Sequence, residues 1–236
     1  EFRRVLFRSK QEDAAELHAL MRAHPLAVLV SHGAEGLTAD HVPLELDASA
    51  GPDGTLHGTL RGHVARANPL WRQAANQPVL AVFRGPQAYI SPSWYPSKAE
   101  THKVVPTWNY AVVHAHGPLR VVEEAPWLHQ LVSRLTAHHE HARPAPWAVS
   151  DAPEDYIEQM LKAIVGIEIP VERLVGKWKV SQNRSEADRQ GVAHGLSGEA
   201  AEDAQVMSTL VSPQVSTQVS AQVSTQASAP VRPASS

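Results

Sequence analysis

Short segments of alternating polarity, separated by turn signals, constrain the fold of this chain most strongly. In residues 37–46, Val42, Leu44 and Leu46 alternate with polar side chains, and Pro43 suggests a strand edge or a bulge. Residues 51–54, Gly-Pro-Asp-Gly, predict a hairpin turn. The remaining short strands are predicted at residues 26–31, 55–64, 79–83, 104–117, 119–123, 164–172 and 174–180.

Helical periodicity appears between these strands. Residues 13–24 and 126–140 each place large apolar side chains on one face, and Asp151 and Glu154 form a capping box before another such segment. Asn68 and Pro69 predict the start of a helix over residues 69–76. Short strands with a few inserted helices predict an α+β fold built on an antiparallel barrel.

The predicted strand at 55–64 has two distinct faces. One face carries Leu, Gly and Val, and the other carries Arg61 and His63 among polar residues. Such a strand suits the close approach of a ligand, although a solvated face is the alternative. Arg66 lies just ahead of the predicted helix at 69–76, whose free N–H groups and dipole favour a phosphate.

Residues 84–117 hold five of the ten Trp and Tyr residues of the chain. Small hydroxyl and amide side chains and two lysines are interleaved with these rings. Flat rings beside donors and cations are what a planar, phosphorylated ligand needs, while an aromatic strand pair buried in the core is the alternative. The five aromatic residues are Tyr89, Trp94, Tyr95, Trp108 and Tyr110.

Four segments carry a resemblance to a known family. AYISPSWY and VPTWNYAVVHAHG, with GHVARANP upstream and GKWKVSQNR downstream, resemble the PaiB-type proteins, which are FMN-binding negative transcriptional regulators. The resemblance runs collinearly from about Lys10 to Leu196. It implies an antiparallel split β-barrel of the pyridoxamine-phosphate-oxidase type with packed helices. It also implies FMN as cofactor. We predict a homodimer, because a half-open barrel leaves edge strands and an aromatic groove that need cover.

The resemblance suggests which part of FMN each of the aromatic, polar and cationic residues binds. For the phosphate we nominate Arg61, His63 and Arg66, ahead of Asn68, with Lys103 or Lys179 as further charge. The walls of the ring site are assigned to Trp94, Tyr95, Trp108 and Tyr110. The ring edges are assigned to Ser91, Thr107, Asn109, Gln182 and Asn183. The last two belong to the run VSQNR, for which a surface turn is the alternative, and no catalytic residue is predicted.

The two ends of the chain are predicted to lie outside the fold. Residues 1–9 lack an initiator Met and read like a translated sequencing adapter, and the Met-Tyr-x-Pro-x-x-Phe opening typical of the PaiB type is missing. Residues 197–236 include a four-residue repeat rich in Ser, Gln and Thr, which predicts a disordered tail. We therefore expect one FMN-binding split-barrel domain over residues 10–196.

Composition excludes several classes of protein. With no cysteine, the chain has no disulfide and no cysteine nucleophile, and no apolar run approaches a membrane span of roughly 20 residues. The net charge of −3 argues against strong direct DNA binding, so a DNA or regulatory partner is not supported by charge. No signal peptide is visible, and the cytoplasm is the expected compartment.

The fourteen histidines invite a metal hypothesis. His114 and His116 share a strand face, and His138, His139 and His141 cluster near a helix end. Neither group is accompanied by a HExxH pattern or by another ligand in obvious register. No metal site is predicted. The Gly-x-Ser-x-Gly, P-loop and Rossmann motifs are also absent, which argues against a hydrolase and against those two nucleotide sites.

Two functions from different classes remain open. The first is an FMN-binding negative transcriptional regulator, in which the flavin is sensed. The second is a flavin oxidoreductase or flavin reductase on the same scaffold, because the redox chemistry belongs to the flavin and the protein need only position a substrate.

Overall fold

A computed structural model describes residues 9–49 and 57–212. These residues form ten strands, in the chain order β1 to β10. Their bounds are Lys10–Gln11, Leu26–Gly33, Gly36–Pro43, Glu45–Asp47, Thr59–Ala65, Pro78–Ile90, Thr107–Pro118, Arg120–Val122, Ile164–Pro170 and Arg173–Lys179.

Seven α-helices, α1 to α7, lie within the same described residues. Their bounds are Ala14–Ala23, Leu70–Gln73, Ser97–Thr101, Ala125–Glu140, Glu154–Lys162, Glu186–Ser197 and Glu202–Val211. Two short 3₁₀ turns, Pro92–Trp94 and Val149–Asp151, complete the order. None of the helices in the described part of the chain is both long and apolar enough to span a membrane.

The strands form two sheets, with the orders β1-β10-β7-β6-β2-β3 and β4-β5-β9-β8. The pairings β2–β3, β2–β6, β4–β5, β5–β9 and β8–β9 are antiparallel. The predicted α+β class and antiparallel strands are confirmed. Pro43 ends β3, an edge strand, as its missing N–H group requires, and the predicted strand at 37–46 is thereby split into β3 and β4.

The chain divides into two compact units. Of the described residues, the first unit contains Ser9 and Lys10, Pro86–Ala111 and residues 177–212. The second unit contains Gln11–Gly85 and Val112–Gly176. The single domain over residues 10–196 stays a prediction, and the boundaries between the two units fall within the long strands β6 and β7.

Two predicted helix starts differ from the structure. The helix expected at 69–76 is only the four residues of α2, and it begins after Pro69, where the Asn68 side chain accepts a hydrogen bond from the Leu70 N–H at 2.8 Å. So short a helix has little dipole to offer a phosphate. The expected capping box at Asp151 is also wrong, because that carboxylate accepts instead from the Ala148 N–H, at 2.9 Å.

The core of the second unit is built from strand residues at alternate positions. In β5, Leu60 and Val64 are buried while Arg61 and His63 are half-buried on the opposite side, as the sequence pattern predicts. The amphipathic helices are also confirmed, since α1 buries Leu17, Leu20 and Met21, and α4 buries Leu128 and Leu131. The predicted hairpin turn at 51–54 lies outside the described residues.

The first unit has an apolar cluster of its own. Val192 and Leu196 of α6 pack there with Ala204, Met207 and Val211 of α7. The predicted disordered tail therefore begins too early, because α7 lies inside residues 197–236 and buries three side chains at helical spacing. Residues 213–236 lie outside the described part. Of the predicted leader, residues 1–8 also lie outside it, whereas the Ser9 carbonyl accepts a hydrogen bond from the Trp178 N–H at 2.8 Å.

Candidate functional site

The candidate site is a cavity of about 140 Å³ in the first unit. Residues from β7, from the end of β10 and from the turn after it converge there, together with Tyr95. Five of the fifteen predicted cofactor-binding residues meet in this cavity. Its lining consists of Tyr95, Val105, Pro106, Thr107, Asn109, Lys179, Ser181, Asn183 and Arg184.

Asn109 is the most deeply buried polar residue of the site, with 1% of its surface exposed. Its amide nitrogen donates to the Ser181 hydroxyl at 2.9 Å, whereas its amide oxygen has no hydrogen-bond partner within the described structure. A buried acceptor without a partner costs about 1–3 kcal/mol. This atom is therefore a candidate contact for a ligand that donates a hydrogen bond.

Ser181 has a backbone conformation that non-glycine residues seldom adopt. Its φ is 60°, in the left-handed region, and the residue is buried. The turn that starts here presents the Ser181 hydroxyl to Asn109, and Gln182 stabilises it by accepting from the Val180 N–H at 2.8 Å. Strain of this kind persists where the surrounding structure over-determines the backbone, which is common at binding sites.

Two cations line the cavity. The Lys179 ammonium donates to the Thr107 hydroxyl, and the Arg184 guanidinium lies 4.6 Å from the centre of the Tyr95 ring. Burial lowers the pKa of Lys179, and the nearby charge of Lys177 lowers it further. No carboxylate is among the lining residues, so the cavity is suited to an anion.

The segment that carries Tyr95 is held in place from α6. Asp188, a buried carboxylate on that helix, accepts hydrogen bonds from the backbone N–H of Ser97 at 3.1 Å and from its hydroxyl at 2.9 Å. Two bonds to an ionised acceptor fix the start of α3, two residues after Tyr95. Asp188 therefore positions one wall of the cavity.

The predicted aromatic walls separate into three environments. Trp108 is 54% exposed and packs edge-to-face against Tyr89, with ring centres 6.1 Å apart. Tyr110 lies below the Lys177 ammonium, at 5.4 Å. Trp94 is partly buried and packs against the apolar cluster of α6 and α7, with its ring close to Gly195. Only Tyr95 of the four predicted walls lines the cavity.

Three other predicted residues of the first unit have local roles. The Ser91 hydroxyl accepts from the Ser93 N–H at 3.2 Å and caps the 3₁₀ turn. Gln182 donates to the Trp178 carbonyl oxygen, so its amide serves the turn. Lys103 is exposed and follows α3, and its backbone N–H donates to the Thr101 hydroxyl at 3.2 Å.

The four predicted phosphate residues from GHVARANP and the strand before it lie in the second unit. Arg61 bonds two carboxylates, Asp47 and Glu168, each at 2.7 Å. Arg66 bonds Glu123 at 2.6 Å and the carbonyl oxygens of Lys162 and Ile164 at 2.9 and 3.1 Å. Both guanidinium charges are balanced by acidic side chains in this structure.

Asn68 and His63 complete this group. The Asn68 amide donates to Asp40 at 2.8 Å, which ties the segment before α2 to β3. His63 is partly buried in β5, and its Nδ1 has no hydrogen-bond partner among the described residues. Burial lowers the pKa of His63, which favours the neutral ring.

A pH experiment tests whether burial of His63 favours the neutral ring in the folded protein. Because the folded-state pKa lies below the ordinary value of 6.5, the unfolded chain takes up a proton first as the pH falls. Stability should therefore be lost below about pH 6.5. We expect His63→Gln to lose less unfolding free energy than the wild type between pH 7.5 and 5.5 in urea titrations. His32→Gln, an exposed control in β2, should follow the wild type, and an unchanged slope for His63→Gln would contradict the assignment.

Four residues of the cavity lining, Val105, Pro106, Ser181 and Arg184, were missed by the sequence reasoning. Ser181 and Arg184 flank Gln182 and Asn183 in the run VSQNR, so the motif was found but its members were assigned on residue type alone. The cation in the motif was the available signal for Arg184. For Ser181 there was none, because its role depends on a backbone angle. No group of three or more His, Asp or Glu side chains in the described ranges is arranged to hold a metal ion.

Comparisons with known proteins place the chain among relatives. It is 37% identical over 222 residues to an Aspergillus fumigatus protein, covering 76% of this chain and 85% of that one. It is 32% identical over 203 residues to the Bacillus subtilis protease synthase and sporulation protein PAI 2, covering 86% and 93%. Among solved structures, the flavocytochrome Anf3 of Azotobacter vinelandii matches with a TM-score of 0.47 and 14% identity over 72% of this chain and 68% of that one.

A family model also matches the chain directly. The match covers residues 7–173, which is most of the chain, and its description is "Putative FMN-binding domain". The predicted PaiB-type resemblance and the predicted cofactor are confirmed by this match and by the Bacillus relative. This chain belongs to that family of FMN-binding domains, and its cofactor is FMN.

Proposed function

We propose that this FMN-binding protein is a regulator of the PaiB type, in which the state of the flavin is sensed and not turned over. The observation that carries the proposal is the lining of the first-unit cavity. It offers cations and amide groups to hold a ligand, but no carboxylate or histidine to act as a general acid or base. Similarity to the Bacillus sporulation protein along 93% of its length supports a role outside metabolism.

The residues of the cavity fit part of FMN. Lys179 and Arg184 suit a dianionic phosphate, and the unpartnered Asn109 oxygen suits an O–H donor of the ribityl chain that carries the phosphate. Sites that enclose a whole ligand of this size measure roughly 300–1,000 Å³. At about 140 Å³ the cavity holds only one end of FMN, and we assign it to the phosphate.

This assignment moves the phosphate away from the residues nominated first. Arg61 and Arg66 already bond carboxylates, so a phosphate there would have to displace Asp47, Glu168 or Glu123. Removing one partner from a charge pair leaves the other unpaired at a cost. Lys179 and Arg184 have no ion pair to break within the described residues.

A flavin oxidoreductase is the second candidate. When bound, FMN supplies two-electron redox chemistry. The lowered pKa of Lys179 makes its ammonium a stronger proton donor than an ordinary lysine, which would suit proton delivery beside a flavin. This observation favours an enzyme, whereas the absence of a carboxylate and of a histidine from the cavity lining favours a sensor.

Anaerobic titration separates the two functions. We expect the purified protein to be yellow and the absorbance of its flavin near 450 nm to persist for minutes after NADH or NADPH is added at a tenfold excess. Dithionite should then bleach the same sample, which shows that the flavin is reducible. Bleaching by the nicotinamide within seconds would instead support the oxidoreductase.

The homodimer is the second part of the proposal. Tyr89 and Trp108 form an exposed aromatic pair on neighbouring strands, and large exposed aromatic side chains are enriched at protein interfaces. We expect a dimer in sedimentation velocity at micromolar concentration, and a shift to monomer for Trp108→Lys. Tyr156→Lys, which alters an exposed aromatic residue of α5, is the control and should stay dimeric. A monomeric wild-type protein would contradict the proposed homodimer.

A further inference from the structure

Two further cavities belong to the second unit and have no part in the proposed flavin site. One measures about 480 Å³ and lies between α4 and the loop that follows it. The other measures about 460 Å³ and lies between α4 and α5. His129, Val149 and Ser150 line both, so the two cavities adjoin and form one cleft, the α4–α5 cleft.

One end of the α4–α5 cleft is apolar. Trp147 and Ala137 line it, with 46% of the Trp147 surface exposed. Glu140 also lines this end, but its carboxylate is balanced: it accepts from Arg143 at 2.9 Å and from the Trp147 backbone N–H at 3.2 Å. These contacts fix the loop against α4 and leave an aromatic surface without net charge.

The other end of the cleft is acidic. Glu154 and Glu158 line it one turn apart on α5, and neither has an ion pair in the described structure. Like charges at this spacing destabilise a helix slightly, and a bound cation would relieve the repulsion. Neither cavity is lined by a lysine or an arginine.

We infer that the α4–α5 cleft binds a small organic cation, with its apolar body against Trp147 and its amine beside Glu154 and Glu158. The inference rests on the cleft and on charge complementarity, and it is independent of the flavin site. The volume of each cavity lies in the range for small-molecule sites, about 300–1,000 Å³. A ring against the indole face and an ammonium beside two carboxylates satisfy both ends of the cleft.

Three probes of one size test the charge preference. 4-Phenylbutylamine, 4-phenylbutanol and 4-phenylbutyrate differ only in the polar end group. Isothermal titration of the flavin-loaded protein should give saturable binding of the amine about five- to tenfold tighter than of the alcohol, since each exposed ion pair contributes modestly. The acid should bind more weakly than the alcohol. Equal binding of all three, or no saturation by the amine below 10 mM, would overturn the inference.

Matched variants locate the site. Ala137→Phe fills the apolar end from an exposed position and should weaken the amine at least tenfold, whereas Gln130→Phe, on the same helix but outside the lining, should not. The double change of Glu154 and Glu158 to Gln should abolish the preference for the amine over the alcohol, and Asp155→Asn should preserve it. Melting temperatures show whether both variants are folded. If the folded Ala137→Phe variant or the folded double Gln variant bound 4-phenylbutylamine as tightly as the wild type, the amine would not bind in the α4–α5 cleft.

Discussion

Replacing Lys179 by Met should weaken FMN binding about ten- to a hundredfold while leaving the apo protein at least as stable. A charge-assisted bond to a phosphate is worth roughly 1.5–3 kcal/mol, and each 1.4 kcal/mol is a factor of ten in affinity. In the apo protein, burial lowers the pKa of Lys179, so the ammonium carries a desolvation cost that Met removes. The loss of the bond to Thr107, whose donor is the same ammonium, should offset part of that gain.

Riboflavin and two further variants make the experiment specific. Riboflavin lacks the phosphate, so its affinity should barely change in Lys179→Met. Lys98→Ala, which removes an exposed ammonium that donates to the Ser93 hydroxyl at 3.4 Å, is the control and should bind FMN like the wild type. Arg66→Ala tests the competing phosphate site in the second unit. Equal losses for FMN and riboflavin in Lys179→Met would show that Lys179 does not bind the phosphate. A selective loss of FMN affinity in Arg66→Ala would place the phosphate in the second unit.

The linkage of Lys179 to pH has a definite sign. Because its folded-state pKa is lowered, the unfolded chain holds a proton that the folded chain releases in the window below pH 10.5. Stability of the apo protein therefore rises with pH through that window, as the buried ammonium is neutralised. We expect this rise to be absent in Lys179→Met, measured by urea unfolding between pH 8 and 10.

Replacing Gly191 by Ala should destabilise the first unit more than any exposed substitution on α6. A Cβ atom at this position would lie 2.1 Å from the Trp94 carbonyl oxygen and 3.0 Å from Pro96 Cδ. A backbone carbonyl cannot rotate away as a side chain can, and overpacking typically costs about 1–3 kcal/mol. Alanine favours a helix over glycine by only about 1 kcal/mol. We expect a net loss of up to about 2 kcal/mol in urea unfolding.

Gly198 gives the matched control at the end of the same helix. A Cβ there meets only the Gly195 carbonyl oxygen, at 3.5 Å, which is an ordinary contact. Gly198→Ala should therefore stay within about 0.5 kcal/mol of the wild type. If Gly191→Ala were as stable as Gly198→Ala, close packing of α6 on the Trp94 turn would not be a source of stability.

Local pattern was enough to predict most of the secondary structure. Alternation predicted β5 with the correct faces, and the 3.6-residue period predicted α1 and α4. The prediction failed where the amino-acid composition indicated a disordered tail but the spacing of apolar residues indicated a helix. Helix α7 lies in a segment assigned to the tail for its polar, low-complexity continuation, although Ala204, Met207 and Val211 already have helical spacing. The helix at 69–76 was predicted too long because its start signal was read without a stop signal.

The sequence by itself determined the family, the cofactor and half of the cavity. Tyr95 was nominated as a wall of the flavin ring site, Thr107, Asn109 and Asn183 as donors to the ring edges, and Lys179 as charge for the phosphate, and the fold brings these five together. Only the tertiary structure decided which cations are free to bind. Arg61 meets Asp47 and Glu168, which are 14 and 107 residues away along the chain. Residue type predicts what a side chain can bind, but ion pairing over such separations is set by strand register, which no local pattern contains.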